Sequence, residues 1–300
     1  MTRTDHPNSA STIEMPTARI IVGYDGSLAA SAAIEVGASL LPRAQAWIGH
    51  LWAPPFASEA MRRRLWRGTS AVNEFIDAIE REGAAEANRL ATMGVTLAGA
   101  AGWKAEAMVE RTYGGEGLQL TQLAERLDPD LVLVGSRGLS GAKAVLGSVS
   151  DMVVHYASRP VLVVPHPLLM AERAAAADGS VIVGWDGSAG AHAAVAAAAR
   201  LFPTRTLQLA GVDQDARYTA AAGGYDVIAL ASGANHATAR SVADALAVHA
   251  RHSQAALVVV GSRGRSAVRE ILLGSVAVAT LHHAQLPIMV VPRAPSPEES

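Results

Sequence analysis

Two stretches of this chain carry residue types suited to holding a phosphate. One is Gly135-Ser-Arg-Gly138, closed by Gly147-Ser148-Val149; the other is Gly261-Ser-Arg-Gly264, closed by Gly274-Ser275-Val276. Each follows an apolar run, Leu131–Val134 or Leu257–Val260. Glycines let main-chain amides approach a ligand, and a Gly-Ser helix start offers first-turn N–H groups with a hydroxyl beside them. A second pair of candidates ends other apolar runs: Asp25 beside Gly23, and Asp186 beside Gly184. A carboxylate there repels phosphate, and no Gly-x-Gly-x-x-Gly follows, so this turn is not a dinucleotide phosphate loop. It is suited to accept hydrogen bonds from a base amino group or ribose hydroxyls. Asp-Gly-Ser is also turn chemistry, and that reading stands beside the first. An acceptor at one end and an amide nest at the other suit a nucleotide.

These residues recur because the chain is duplicated. Ile20-Ile-Val-Gly-Tyr-Asp-Gly-Ser27 matches Val181-Ile-Val-Gly-Trp-Asp-Gly-Ser188, and Arg159-Pro-Val-Leu-Val-Val-Pro165 matches Leu286-Pro-Ile-Met-Val-Val-Pro292. The offset is 161 residues at Asp25, 126 at Gly135 and 127 at Pro160. The second copy therefore lacks 35 residues between its first strand and its glycine loop, and the first copy's loop is one residue shorter. The expected organisation is a tail over 1–17, a first domain over 18–165 and an alanine-rich linker over 166–178. A second, shortened domain follows over 179–292, then a tail over 293–300.

Each copy alternates short β-branched runs with helical stretches, which predicts a doubly wound, mainly parallel sheet covered on both faces. In the first copy the strands fall at 19–24, 46–52, 104–112 (a half-exposed edge), 131–134 and 161–164. Ser27 is placed to N-cap a helix over 28–41. A long helix over 70–100 is expected to break or weaken at Gly94. In the second copy only fourteen residues separate the runs 207–212 and 227–231, so its second helix is expected to be lost or reduced to a turn. One face of its sheet would then need cover from the other copy. Ligands of such sheets bind beyond the carboxyl ends of the strands, which adds Leu51 and Val212, at the ends of the second strands, to the candidates.

The bulk composition narrows the function classes. Net charge is −2, which gives no electrostatic case for nucleic acid or an anionic membrane. There is no cysteine, so disulfides and thiolate chemistry are excluded. Neither a signal peptide nor a membrane span is read, and a cytoplasmic setting is expected. The basic run 62–67 reads as a solvated face, and Arg137 and Arg263 suit either phosphate contact or solvent. His249 and His252, and His282 and His283, lack a carboxylate at ligand spacing, so no metal site is expected. No Walker loop, nucleophile elbow or other catalytic constellation is found, and the chain is not expected to be an enzyme.

Taken together, these motifs resemble those of the universal stress proteins in their tandem form, over about residues 18–165 and 179–292. ATP-binding members of that family carry Gly-x2-Gly-x9-Gly-(Ser/Thr) after the fourth strand and an Asp at the end of the first. Gly261, Gly264, Gly274 and Ser275 fit that spacing in full; Gly135, Gly138, Gly147 and Ser148 fit with eight residues where the pattern has nine. The resemblance implies ATP, with Mg2+ accompanying it, as the ligand. Asp25 and Asp186 would face the adenosine, Leu51 and Val212 would line the adenine pocket, and the glycines and serines would take ribose and phosphates. It also implies that the last strands, Val161–Val164 and Ile288–Val291, pair with each other within one chain, and that the paired chain forms a homodimer. The expected function is a nucleotide-dependent stress-response regulator. The alternative is a degenerate interaction module that binds no nucleotide, and the residues do not choose which copy binds.

Overall fold

The computed structural model describes residues 17–54, 72–136, 146–213, 224–233, 237–264 and 273–292. The first copy runs β1 (Arg19–Gly23), α1 (Leu28–Leu40), β2 (Gln45–Trp52), α2 (Val72–Ala100), β3 (Lys104–Arg111), α3 (Glu116–Leu127), β4 (Leu131–Gly135), α4 (Ser148–Tyr156) and β5 (Val161–Val164). A connecting helix, α5 (Met170–Asp178), leads to β6 (Val181–Gly184), α6 (Ala189–Leu201), β7 (Leu207–Val212) and β8 (Val227–Leu230). Then come α7 (Ala239–His252), β9 (Leu257–Gly261), α8 (Ser275–His283) and β10 (Ile288–Val291).

The strands form one ten-stranded sheet in the order β3-β2-β1-β4-β5-β10-β9-β6-β7-β8. Every pairing is parallel except β5 with β10, where Val163 faces Ile288 and Val161 faces Val290. Each half is a doubly wound α/β unit whose strand order reverses between β1 and β4, or between β6 and β9. Because the seam is antiparallel, the carboxyl ends of the two sets of strands lie on opposite edges of the sheet.

Alternation along the strands divides the core into two layers. Ile20 and Val22 pack on one face with Ile34 of α1, Ala98 of α2, Ala176 of α5 and Ala194 of α6. Ile21 packs on the other with Leu120 of α3, Val153 of α4, Leu246 of α7 and Leu281 of α8. With few aromatic residues, closeness comes from small ones. Gly37 of α1, for example, lies where a Cβ would be 2.5 Å from Leu133 and 2.8 Å from Trp103.

One sequence expectation needs correction, and the join between the copies gains a description. Gly94 does not break α2, which is continuous for 29 residues. A Cβ at Gly94 would lie 2.6 Å from Ile48 and 2.9 Å from Tyr24, so the glycine serves close packing of helix on sheet. The alanine-rich linker is largely a helix, α5, whose Ala175 and Ala176 are buried. Alanine has the highest helix propensity, and its small side chain allows packing without a visible apolar stripe. The segment expected to have lost a helix, 214–223, lies outside the described residues.

Candidate functional site

At the carboxyl edge of each half, where the strand order reverses, lies a cavity. That of the first copy has a volume of about 270 Å³ and is lined by Gly23, Asp25, Leu51, Gly135, Gly147, Ser148 and Val149. That of the second copy, about 600 Å³, is lined by Gly184, Asp186, Val212, Gly261, Gly264, Gly274, Ser275 and Val276. Residues as distant in sequence as Gly23 and Val149, or Gly184 and Val276, are thus gathered by the topology: the end of the first strand, the end of the second and the loop after the fourth. Gly138 lies outside the described residues.

The two aspartates occupy equivalent turns. Asp25 Oδ1 accepts the Ser27 amide at 3.0 Å, and Asp186 Oδ1 accepts that of Ser188 at the same distance. The two serines then cap their helices, Ser27 Oγ accepting from Ala30 and Ser188 Oγ from Ala191. Turn former and cavity wall are therefore one residue: one carboxylate oxygen builds the turn while the carboxylate stands at the cavity.

The glycines divide by cause. A Cβ at Gly135 would lie 2.6 Å from the Ala29 carbonyl oxygen, and one at Gly261 would lie 2.6 Å from Gly190. These first glycines are required by the close approach of α1 and α6, whatever they also offer a ligand. Gly264 is different. Its Cβ would meet Asp186 Oδ2 at 2.9 Å, so the absence of a side chain lets the glycine loop and the carboxylate come close inside the cavity.

The helix starts also need one correction. The Gly147 amide donates to the Ser136 carbonyl at 2.7 Å and the Gly274 amide to that of Ser262 at 2.6 Å, so these N–H groups close the loop rather than face a ligand. The amides that an α-helix leaves without intrahelical partners begin one residue later, at Ser148 and Val149 and at Ser275 and Val276. Loop and seam are joined as well: Ser136 N–H donates to Val164 of β5, and Ser262 N–H to Val291 of β10.

Several lining residues escaped the sequence reading. Leu120 and Leu246, one turn or more into α3 and α7, form equivalent apolar walls. Their signal was there, as apolar residues on helices that follow the third strands, but it is the signal of any core residue. Arg263, which the sequence leaves open to phosphate or solvent, lines the second cavity. Glu116 lines the first cavity, and Asp213 the second. The Ser232 hydroxyl and amide hold the Asp213 carboxyl below the usual carboxylate range. Among the described residues no group of three His, Asp or Glu is placed to hold a metal ion.

Comparison with known proteins gives this arrangement its relatives. The universal stress protein family matches residues 16–165 and 234–292, which take in both glycine motifs and the first copy's Asp25 turn. The chain belongs to the universal stress protein family. Universal stress protein Sll1388 of Synechocystis is 44% identical over 54 residues, a match spanning 18% of this chain and 35% of that protein. Among solved structures, a universal stress protein from Archaeoglobus fulgidus superposes with a TM-score of 0.65 at 20% identity, over 92% of this chain and 98% of that one. A functionally unknown protein of Pseudomonas aeruginosa PAO1 superposes at 0.56 with 12% identity, over 93% and 94%. Both share the fold of this universal stress protein along nearly its whole length.

Proposed function

We propose that the second copy of this universal stress protein binds an adenine nucleotide, ATP, as a regulatory signal in the response to stress. Binding would stabilise one state, or one partner-binding surface, by mass action rather than supply fuel for a reaction. The observation that carries the proposal is the gathering of an acceptor, an apolar wall, an arginine and a helix N-terminus around one cavity of about 600 Å³. That volume is within the range of about 300–1,000 Å³ usual for small-molecule sites. Asp186 would accept from the ribose, Val212 would lie against the base, and Arg263 with the first turn of α8 would take the phosphates. Mg2+ would arrive with those phosphates. The proposed setting is the cytoplasm, in keeping with a chain that has no cysteine. Among the described residues no helix is long and apolar enough to cross a membrane.

The test is to denature the purified protein, identify any nucleotide it releases, and measure thermal shifts with Mg-ATP. At a hundredfold excess over Kd a ligand adds about 2.7 kcal/mol, several degrees in Tm. The shift should vanish in Gly264→Asp, which sets a second carboxylate against Asp186. A wild-type protein that releases no nucleotide and shows no shift would leave the interaction-module reading in its place.

A further inference from the structure

Among the described residues, Glu116 is a charge that lines the first cavity alone, while Asp213 and Arg263 line the second. Glu116, in the first turn of α3, and Val242, in the first turns of α7, each precede by fifteen residues the strand that ends in the glycine loop. Their equivalence is fixed from both sides. Leu120 and Leu246, at the same offset, line the two cavities, and Asp128 and Gln254, again at that offset, share a left-handed φ of 50° and 51°. Glu116 lines the first cavity and Val242 the second.

The start of α4 lines the same cavity as Glu116. The next residue, Gly117, packs directly on that helix, where a Cβ would be 2.4 Å from Met152 Cβ and 3.0 Å from the Val149 carbonyl oxygen. Ser148 and Val149, whose first-turn amides would receive an anion, line the same cavity as Glu116. A carboxylate is itself favoured near a helix N-terminus, and it repels any second anion brought to the same place. Ser150 narrows the space further. Its hydroxyl donates to the Gly135 carbonyl at 2.6 Å, while the equivalent residue in the second copy is Ala277. The volumes agree, at about 270 Å³ against about 600 Å³.

We infer that Glu116 is a specificity residue that bars phosphorylated ligands from the first cavity, so that the chain binds one ATP and the first cavity accepts at most an uncharged nucleoside. The inference rests on the nucleotide reading of the second cavity given above. Isothermal titration of the full chain with ATP separates the two. The wild type should bind one ATP per chain and Glu116→Val two, the new site weaker than the first. Glu116→Gln, which keeps the shape and removes the charge, should also bind a second ATP, at least tenfold more tightly than the wild-type first cavity does. Two ATP per wild-type chain would overturn the inference. So would one ATP in the wild type and still one in both variants, and in that case the nucleotide reading survives. No binding in any of the three proteins would bring down the nucleotide reading itself.

Discussion

At the scale of single residues, glycines that look alike in the repeated motif answer to different forces. Gly261 is pressed on by the main chain of Gly190, which cannot move as a flexible side chain would. Gly261→Ala should therefore cost about 1–3 kcal/mol of stability, as overpacking does, and lower Tm with or without ATP. Gly264 meets only the end of the Asp186 side chain, so substitutions there should act on ligand binding first. A melting series of the two variants with and without nucleotide separates these roles; equal behaviour would refute the division. The motif as written in the sequence shows the glycines and their spacing. It does not show which of them faces a helix and which a ligand, because that depends on α1 and α6, far from the loops in sequence.

At the scale of elements, the long helix α2 is tied to the edge strand β3 by a two-pronged ion pair. Arg111 Nε donates to Glu80 Oε2 at 2.9 Å and Arg111 Nη2 to Glu80 Oε1 at 2.6 Å, with the guanidinium 4.1 Å above the Tyr113 ring. The hydrogen bond from Arg111 holds the Glu80 carboxyl below its ordinary range. A carboxyl whose pKa is lowered by folding adds stability above its unfolded pKa and loses it as pH falls through the folded value. Glu80→Gln should accordingly lower Tm at neutral pH and flatten its decline below about pH 4. Melts from neutral to acid pH check this, and an unchanged acid limb would rule it out. The strand itself was legible as a half-exposed edge. The uninterrupted course of α2 was not, since Gly94 reads as a helix breaker until Ile48 and Tyr24 are seen against it.

At the scale of the whole molecule, the antiparallel β5–β10 seam makes one continuous sheet of two copies and turns their cavities to opposite edges. On one face α5 and the half-buried Arg205 lie across the join. Arg205 Nη1 donates to the Gly179 carbonyl at 2.8 Å, and Nη2 donates to Ala176 at 2.8 Å and, across the copies, to Ser39 of α1 at 3.1 Å. Burial draws its pKa down and Asp178 pulls it back up. Two exposed pairs, Arg173 with Glu35 and Arg200 with Asp130, cross the same boundary, and exposed pairs contribute little. Removing Arg205 leaves the last carbonyls of α5 without their donor, so Arg205→Ala should cost about 1–3 kcal/mol. It should also broaden or split the unfolding transition as the halves become less coupled. Calorimetry showing one unshifted transition would refute that.

The sequence by itself determined the local and the repeated: the α/β alternation, the duplication, the Ser27 cap, the edge strand and every candidate residue that the described structure places in a cavity. Those follow from periodicity, turn chemistry and a family pattern carried by consecutive residues. Only the tertiary structure decided what depends on distant partners. It assigned Gly135 and Gly261 to the close approach of α1 and α6, and tied up the Gly147 and Gly274 amides. It also set Glu116 in one cavity with the start of α4, where the other copy has a valine. Each of these is a contact between segments many residues apart, and the side-chain pattern of one segment alone does not record what will be packed against it.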